Sequence, residues 1–242
     1  MAAPSPQAPT AGSYTPVVTD FMRLVRVLYA PSAVFEEQKD KPTWFLPWLV
    51  IAVICIAIGF WGLPYSQRVM ELAIQAIPNA PQISPEQLHT RALIGLFVTP
   101  IFFLIFALIG AGIMYLTLAV TGSRARFRSM LTANVFAQVM LPITLILQSI
   151  ILRMRGSPSE AITTITDAQP ALGLNVLLSS DSHFMQAMYA GIGPLPIWAL
   201  FITAVAIMRL DGVKKSSAWT AALASFVILL LVGGFLAGLQ RG

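Results

Sequence analysis

The chain has 242 residues and a net charge of +5, with 57% hydrophobic residues, only 10% charged residues and a mean hydropathy of +0.77. A soluble domain carries about 25% charged residues, so the composition excludes an ordinary soluble globule and predicts an all-α integral membrane bundle. The basic residues sit in short clusters beside apolar runs, a pattern that fits membrane topology and not nucleic-acid binding. Cys55 is the only cysteine, which excludes an internal disulfide and a cysteine-based zinc cluster.

Residues 1–18, MAAPSPQAPTAGSYTPVV, are rich in Pro, Ala, Ser and Thr and have neither the basic start nor the apolar centre of a signal peptide. They are expected to form a disordered tail that stays on the mature protein. Residues 19–43 read as amphipathic juxtamembrane helices. Phe21, Leu24, Val25, Leu28 and Tyr29 recur at helical spacing, with Arg23 and Arg26 on the other side. Thr19 or Asp20 is positioned to cap this helix, and Pro31 ends it. Ser32 then caps a second helix over about 33–39 that turns Val34 and Phe35 inward and carries Glu36 and Glu37 early, where the positive helix end favours acids. Two roles stay open for this segment. It lies in the cytoplasmic interface with its arginines near anionic headgroups, or it covers the mouth of the bundle and presents a surface to a soluble partner.

Apolar runs at about 44–63, 92–120, 130–152, 185–208 and 220–239 each match the roughly 20 residues that a bilayer-spanning helix needs, so the membrane domain is placed at 44–240. Ten Lys and Arg residues fall on one side of these spans and five on the other. Cytoplasmic loops are enriched in such residues, which places the N-terminus in the cytoplasm and the C-terminus outside. The outer segments, about 64–91 and 153–184, carry Pro and Asn signals for short capped helices joined by turns.

A search for chemistry returns little. His89 and His183 are the only histidines, both in predicted outer loops, and no zinc-protease, nucleophile-elbow or phosphate-loop motif occurs. No catalytic residue, metal site, cofactor or enzymatic activity is assigned. The five runs hold no Asp, Glu, Lys, Arg or His, which argues against an ion-coupled pump. The third run does carry Asn134, Gln138, Gln148 and Ser149 within about a third of the helix circumference, together with Pro142. Such a face either hydrogen-bonds neighbouring helices or lines a polar path. Gly234 and Gly238 have the small-x-x-x-small spacing of close helix contact, within the chain or in a homo-oligomer. Arg124, Arg126 and Arg128 form the densest basic group, a topology anchor or a site for anionic lipid or a partner.

Three stretches in order, VLYAPSAVFEEQKDKPTWFLPWLVI, YLTLAVTGSRARFRSMLTANVFAQVMLPITL and LPIWALFITAVAIMRLDGVKKSSAWTAAL, resemble the Yip family of five-span membrane proteins, in its bacterial branch. The resemblance implies a five-helix bundle. Eukaryotic members are associated with vesicle traffic and bind small GTPases of the Ypt/Rab class, whereas bacterial members have no agreed activity. Gly122-Ser123 stands where many relatives carry two glycines, and the turn is expected to survive. The reading is therefore a non-enzymatic protein of the bacterial cytoplasmic membrane with an interaction or membrane-organising role, in contact with the bilayer and with membrane or cytoplasmic proteins. The alternative is a passive transporter, channel or lipid-handling protein using the polar face of the third span.

Overall fold

The computed structural model describes residues 16–77, 83–168, 172–180 and 182–239, and all regular structure among them is helical. The elements are α1 (Pro16–Arg26), α2 (Pro31–Glu37), α3 (Phe45–Gln75), α4 (Pro85–Val120), α5 (Phe127–Ala137), α6 (Met140–Arg155), α7 (Pro158–Ala161), α8 (His183–Ala190), α9 (Pro194–Asp211) and α10 (Lys215–Leu239). Short 3-10 turns occupy Ile165–Ala168 and Leu174–Val176. Among the described residues, five stretches are long and apolar enough to cross a bilayer: α3, α4, the α5–α6 pair, α9 and α10.

At 31 and 36 residues, α3 and α4 are about 46 and 54 Å long, against ~30 Å of hydrocarbon. Much of the segment expected as an outer loop at 64–91 is therefore a continuation of two spans. α3 runs on through Pro64 to Gln75, and α4 begins well before residue 92, at a capping box in which Ser84 and Gln87 exchange side-chain and backbone bonds. These extensions join the end of α6, α7 and the turn after it in a cap centred on Tyr65, Leu152, Ala161 and Ile162. Tyr65 donates its hydroxyl to the Gly156 carbonyl at 2.9 Å, and the Arg153 guanidinium sits 4.6 Å from the centre of the Trp61 ring. Burial alone would raise the Asp167 carboxyl in this cap, but donation from Thr163 and Thr164 outweighs it and holds the group below the ordinary carboxylate range.

The third span is broken where a single helix was expected. Pro142 has no N–H for the Gln138 carbonyl, which accepts from Leu141 N–H at 2.9 Å instead. Gln138 and Val139 also bond three residues back, to Val135 and Phe136, so a tight turn separates α5 from α6. The fourth span begins at Pro194 and not near 185, because Gly191–Gly193 detach α8 and Pro194 is suited to the first helical position. α8 folds back on α10, where a Cβ at Gly234 would lie 3.0 Å from the Phe184 ring and 3.2 Å from the Met188 sulfur. The face of Gly234 and Gly238 thus holds the chain's own α8. The fifth span starts at Lys215, before the apolar run itself. Between α4 and α5, Gly122 has a φ of 72°. Its N–H and that of Ser123 return to the carbonyls of Ala119 and Leu118, closing α4 with serine in the second glycine's place.

α5 is the centre of the molecule: Met130, Ala133, Val135 and Phe136 are all 0% exposed. One side of it shares a core with α1, α2, α3 and α9, the other with α4, α9 and α10. Phe35 of α2 meets Phe136 edge-on, with ring centres 5.5 Å apart. Replacing Phe35 by Ala is expected to cost ~3–5 kcal/mol, read as a lower unfolding midpoint in detergent, while Val120→Ala, at a position 88% exposed, leaves the midpoint within about 0.5 kcal/mol.

Candidate functional site

The first feature is the hairpin of α1 and α2. α1 starts at Pro16, so Thr19 and Asp20 lie inside it and do not cap it; residues 1–15 of the expected tail fall outside the described residues. Pro31 is the first residue of α2, with Ala30 rather than Ser32 at the cap, and α2 ends at Glu37. The buried side also differs from the one that periodicity suggested. Leu24 of α1, Val27 in the turn after it, and Val34 and Phe35 of α2 enter the core, Leu28 is half-buried, and Phe21, Val25 and Tyr29 are exposed. α1 carries two apolar rows, and the one in line with buried Asp20 is the one that docks.

The hairpin's charges are turned toward each other. Arg23 pairs with Asp20 at 2.9 Å, and Arg26 with Glu37 at 2.8 Å. The hairpin tip reaches far along α9, because the Leu28 carbonyl accepts from the Trp198 indole N–H at 3.2 Å; Trp198 lies about 20 Å along the helix from Asp211 at 1.5 Å per residue. At the hairpin's base, buried Gln38 accepts from both the backbone N–H and the hydroxyl of Thr43, fixing the turn into α3.

The second feature is a clamp at the same end. Arg126 donates its backbone N–H and its Nε to the two carboxylate oxygens of Asp211, at 3.0 and 2.8 Å. Its Nη2 reaches the carbonyls of Lys39 and Leu210, and Ser129 adds a hydroxyl bond of 2.9 Å to Asp211. The Asp211 side chain is only 5% exposed. An acid is unfavourable at the end of α9, but here it also lies at the start of α5, where the positive helix end favours it. Arg126 is thus tied into the fold, whereas Arg124 and Arg128 are exposed and form no ion pair among the described residues. Sequence reading passed over Asp211; the signal was an acid placed between a span and Gly212, whose φ of 63° makes the turn.

The third feature is the polar face of the third span, which the break divides. Asn134 Nδ2 donates to the Ala107 carbonyl at 3.1 Å, and Gln138 Nε2 to the Phe103 carbonyl at 2.7 Å. Four residues forward on α5 are four back on α4, the register of antiparallel helices. Gly110 must be bare, since a Cβ there would sit 2.3 Å from Asn134 Nδ2. Beyond the break, Gln148 donates to the Ala168 carbonyl in the cap and Ser149 is buried toward Gly62. Each half borders its own cavity. One of about 360 Å³ lies between α3, α4 and α6, lined by Cys55, Leu96, Gln148 and Ser149; one of about 350 Å³ lies between α4, α5–α6, α9 and α10, beside Asn134 and Gln138. No three His, Cys, Asp or Glu side chains converge among the described residues.

A family model described as the Yip1 domain matches residues 25–237. The chain belongs to the Yip1 family. It is 25% identical over 226 residues to the "Membrane protein YknW" of Bacillus subtilis, covering 90% of each chain. No solved structure matches it. The Yip1 match takes in the last two residues of α1, all of α2 and the spans up to residue 237.

The clamp can be weighed by a double-mutant cycle. Arg126→Ala and Asp211→Ala are each expected to destabilise the protein by on the order of 2 kcal/mol, the worth of hydrogen bonds to a charged group. The double variant should cost clearly less than the sum, because each single change leaves the other partner stranded. Additive losses in detergent unfolding would show that the two groups act separately.

Proposed function

We propose that this Yip1 protein is a non-enzymatic, membrane-organising protein of a bacterial cytoplasmic membrane, with its N-terminus in the cytoplasm and its C-terminus outside. Its working surface is the basic end, where the α1–α2 hairpin and the turns around residues 121–129 and 209–215 meet the cytoplasmic leaflet and any protein partner. The observation that carries this reading is the hairpin's two-sidedness: Leu24 and Val27 are locked into the core while Phe21, Met22, Val25 and Tyr29 stay exposed. With the hairpin tip bonded to Trp198, far along α9 from the basic end, this second apolar face is suited to lie against acyl chains. Ten of the fifteen Lys and Arg residues belong to this end, and the unpaired ones among them attract anionic headgroups at ~1 kcal/mol each.

The alternative of a polar path along the third span has less support. Its polar face is divided by the α5–α6 break, and its amide nitrogens are held by backbone carbonyls.

Orientation is checked with reporters fused near residues 125 and 213, expected to read cytoplasmic, and near 78, 168 and the C-terminus, expected to read outside. A cytoplasmic C-terminus would overturn the proposed topology. The hairpin is checked by Leu24→Glu with Val27→Glu, which puts two charges in the core in place of apolar burial worth roughly 1.5–3 kcal/mol per side chain. In inside-out vesicles the variant should be cleaved between residues 20 and 41 much faster than the parent, with the spans still protected. Equal and rapid cleavage of both would sink the idea of a docked surface.

A further inference from the structure

The cavity of about 350 Å³ beside the helix break is walled by apolar side chains, among them Leu141, Leu195, Phe226 and Leu229, and by five polar ones: Asn134, Gln138, Thr144, Thr203 and Ser225. None of its lining residues is ionisable. The hydroxyls are already committed as donors, Thr144 to the Met140 carbonyl, Thr203 to that of Ala199 and Ser225 to that of Gly110. Both amide nitrogens face α4 carbonyls. A carbonyl only accepts, so neither amide can be turned round, and the side-chain oxygens are the ends left over. Among the described residues, Gln138 Oε1 is buried with no partner and Asn134 Oδ1 accepts no hydrogen bond.

A cavity with spare acceptors and no charge selects its ligand by chemistry. An anion would meet no cation, a cation no carboxylate, and a plain hydrocarbon would leave Asn134 Oδ1 without a donor, which is costly where water is scarce. We propose that this cavity binds a neutral lipid alcohol, whose hydroxyl donates to Asn134 Oδ1 and whose chain lies against Leu195, Phe226 and Leu229. The bilayer is the source of the ligand, and the broken third span supplies the recess, as broken helices do in other intramembrane sites. The cavity borders the core that the hairpin also packs on, and the proposal does not rest on the hairpin reading.

The test uses the full-length protein in nanodiscs with a diazirine-bearing hexadecanol, followed by mapping of the labelled peptides. Saturable labelling of α6, α9 or α10 at the cavity is expected, displaced by oleyl alcohol or by dioleoylglycerol but not by hexadecane; the better of the two alcohols identifies a single-chain or a diacyl source. Asn134→Leu should weaken displacement about tenfold, the worth of one hydrogen bond. Because that change also removes the bond to Ala107, Ala199→Leu serves as the second variant: it fills the cavity without touching either amide and should abolish labelling at an unchanged unfolding midpoint. Hexadecane competing as well as the alcohols would reduce the site to an apolar void and overturn the proposal. So would labelling that survives Ala199→Leu, or the absence of saturable labelling, which is the outcome if only water fills the cavity. Labelling at the cavity and proteolysis of the hairpin are separate readouts, so failure of the hairpin reading and failure of this one are told apart.

Discussion

Hydrocarbon offers no partner to a polar group, so an amide carried into the middle of a membrane bundle must find one in the protein itself. The central helix of this fold is built around that demand. Asn134 and Gln138 reach the carbonyls of Ala107 and Phe103 on the neighbouring span, and the pair of bonds sets both the register and the closeness of α4 and α5. That closeness requires a residue without a side chain at Gly110. Most of α5 is buried, with the hairpin, α3 and α9 sharing a core with one side of it and α10 joining the core on the other.

At the basic end a different force closes the same layers. From the turn between α4 and α5, Arg126 reaches the end of α9 and the link between α2 and α3 at once. Asp211 is the anion that makes this possible, lying between the negative end of one helix and the positive start of another. Packing and charge divide the labour here. Phe35 and Phe136 hold the hairpin against the core, while the clamp holds the ends of the helices that the hairpin crosses.

Span number and all-helical class were readable because long apolar runs have few other fates. The details that sequence missed share a cause: each required knowing which of two local options tertiary contacts would select. α1 offers two apolar rows, and only the packing of α2 and α3 against it decides that Leu24, with Val27 in the following turn, goes inward. The polar residues of the third span fall on one face only if the helix is continuous, and the missing N–H of Pro142 breaks it just before that point. Pro194 was read inside a span, although its chemistry suits a helix start and Gly193 stands before it. Asp211 gave no local sign that a basic residue more than eighty positions earlier would be its partner.

The packing of α8 against α10 also has a meaning in time. A glycine seam is adhesive in a membrane, because it lets any passing helix come close. Here the segment that covers Gly234 is made before α10 is, since Phe184 and Met188 precede it in the chain. By the time the seam leaves the ribosome, its cover is already tethered beside it at high local concentration. Order of synthesis thus acts as a chaperone for the last span, sheltering its stickiest face from neighbouring chains during assembly.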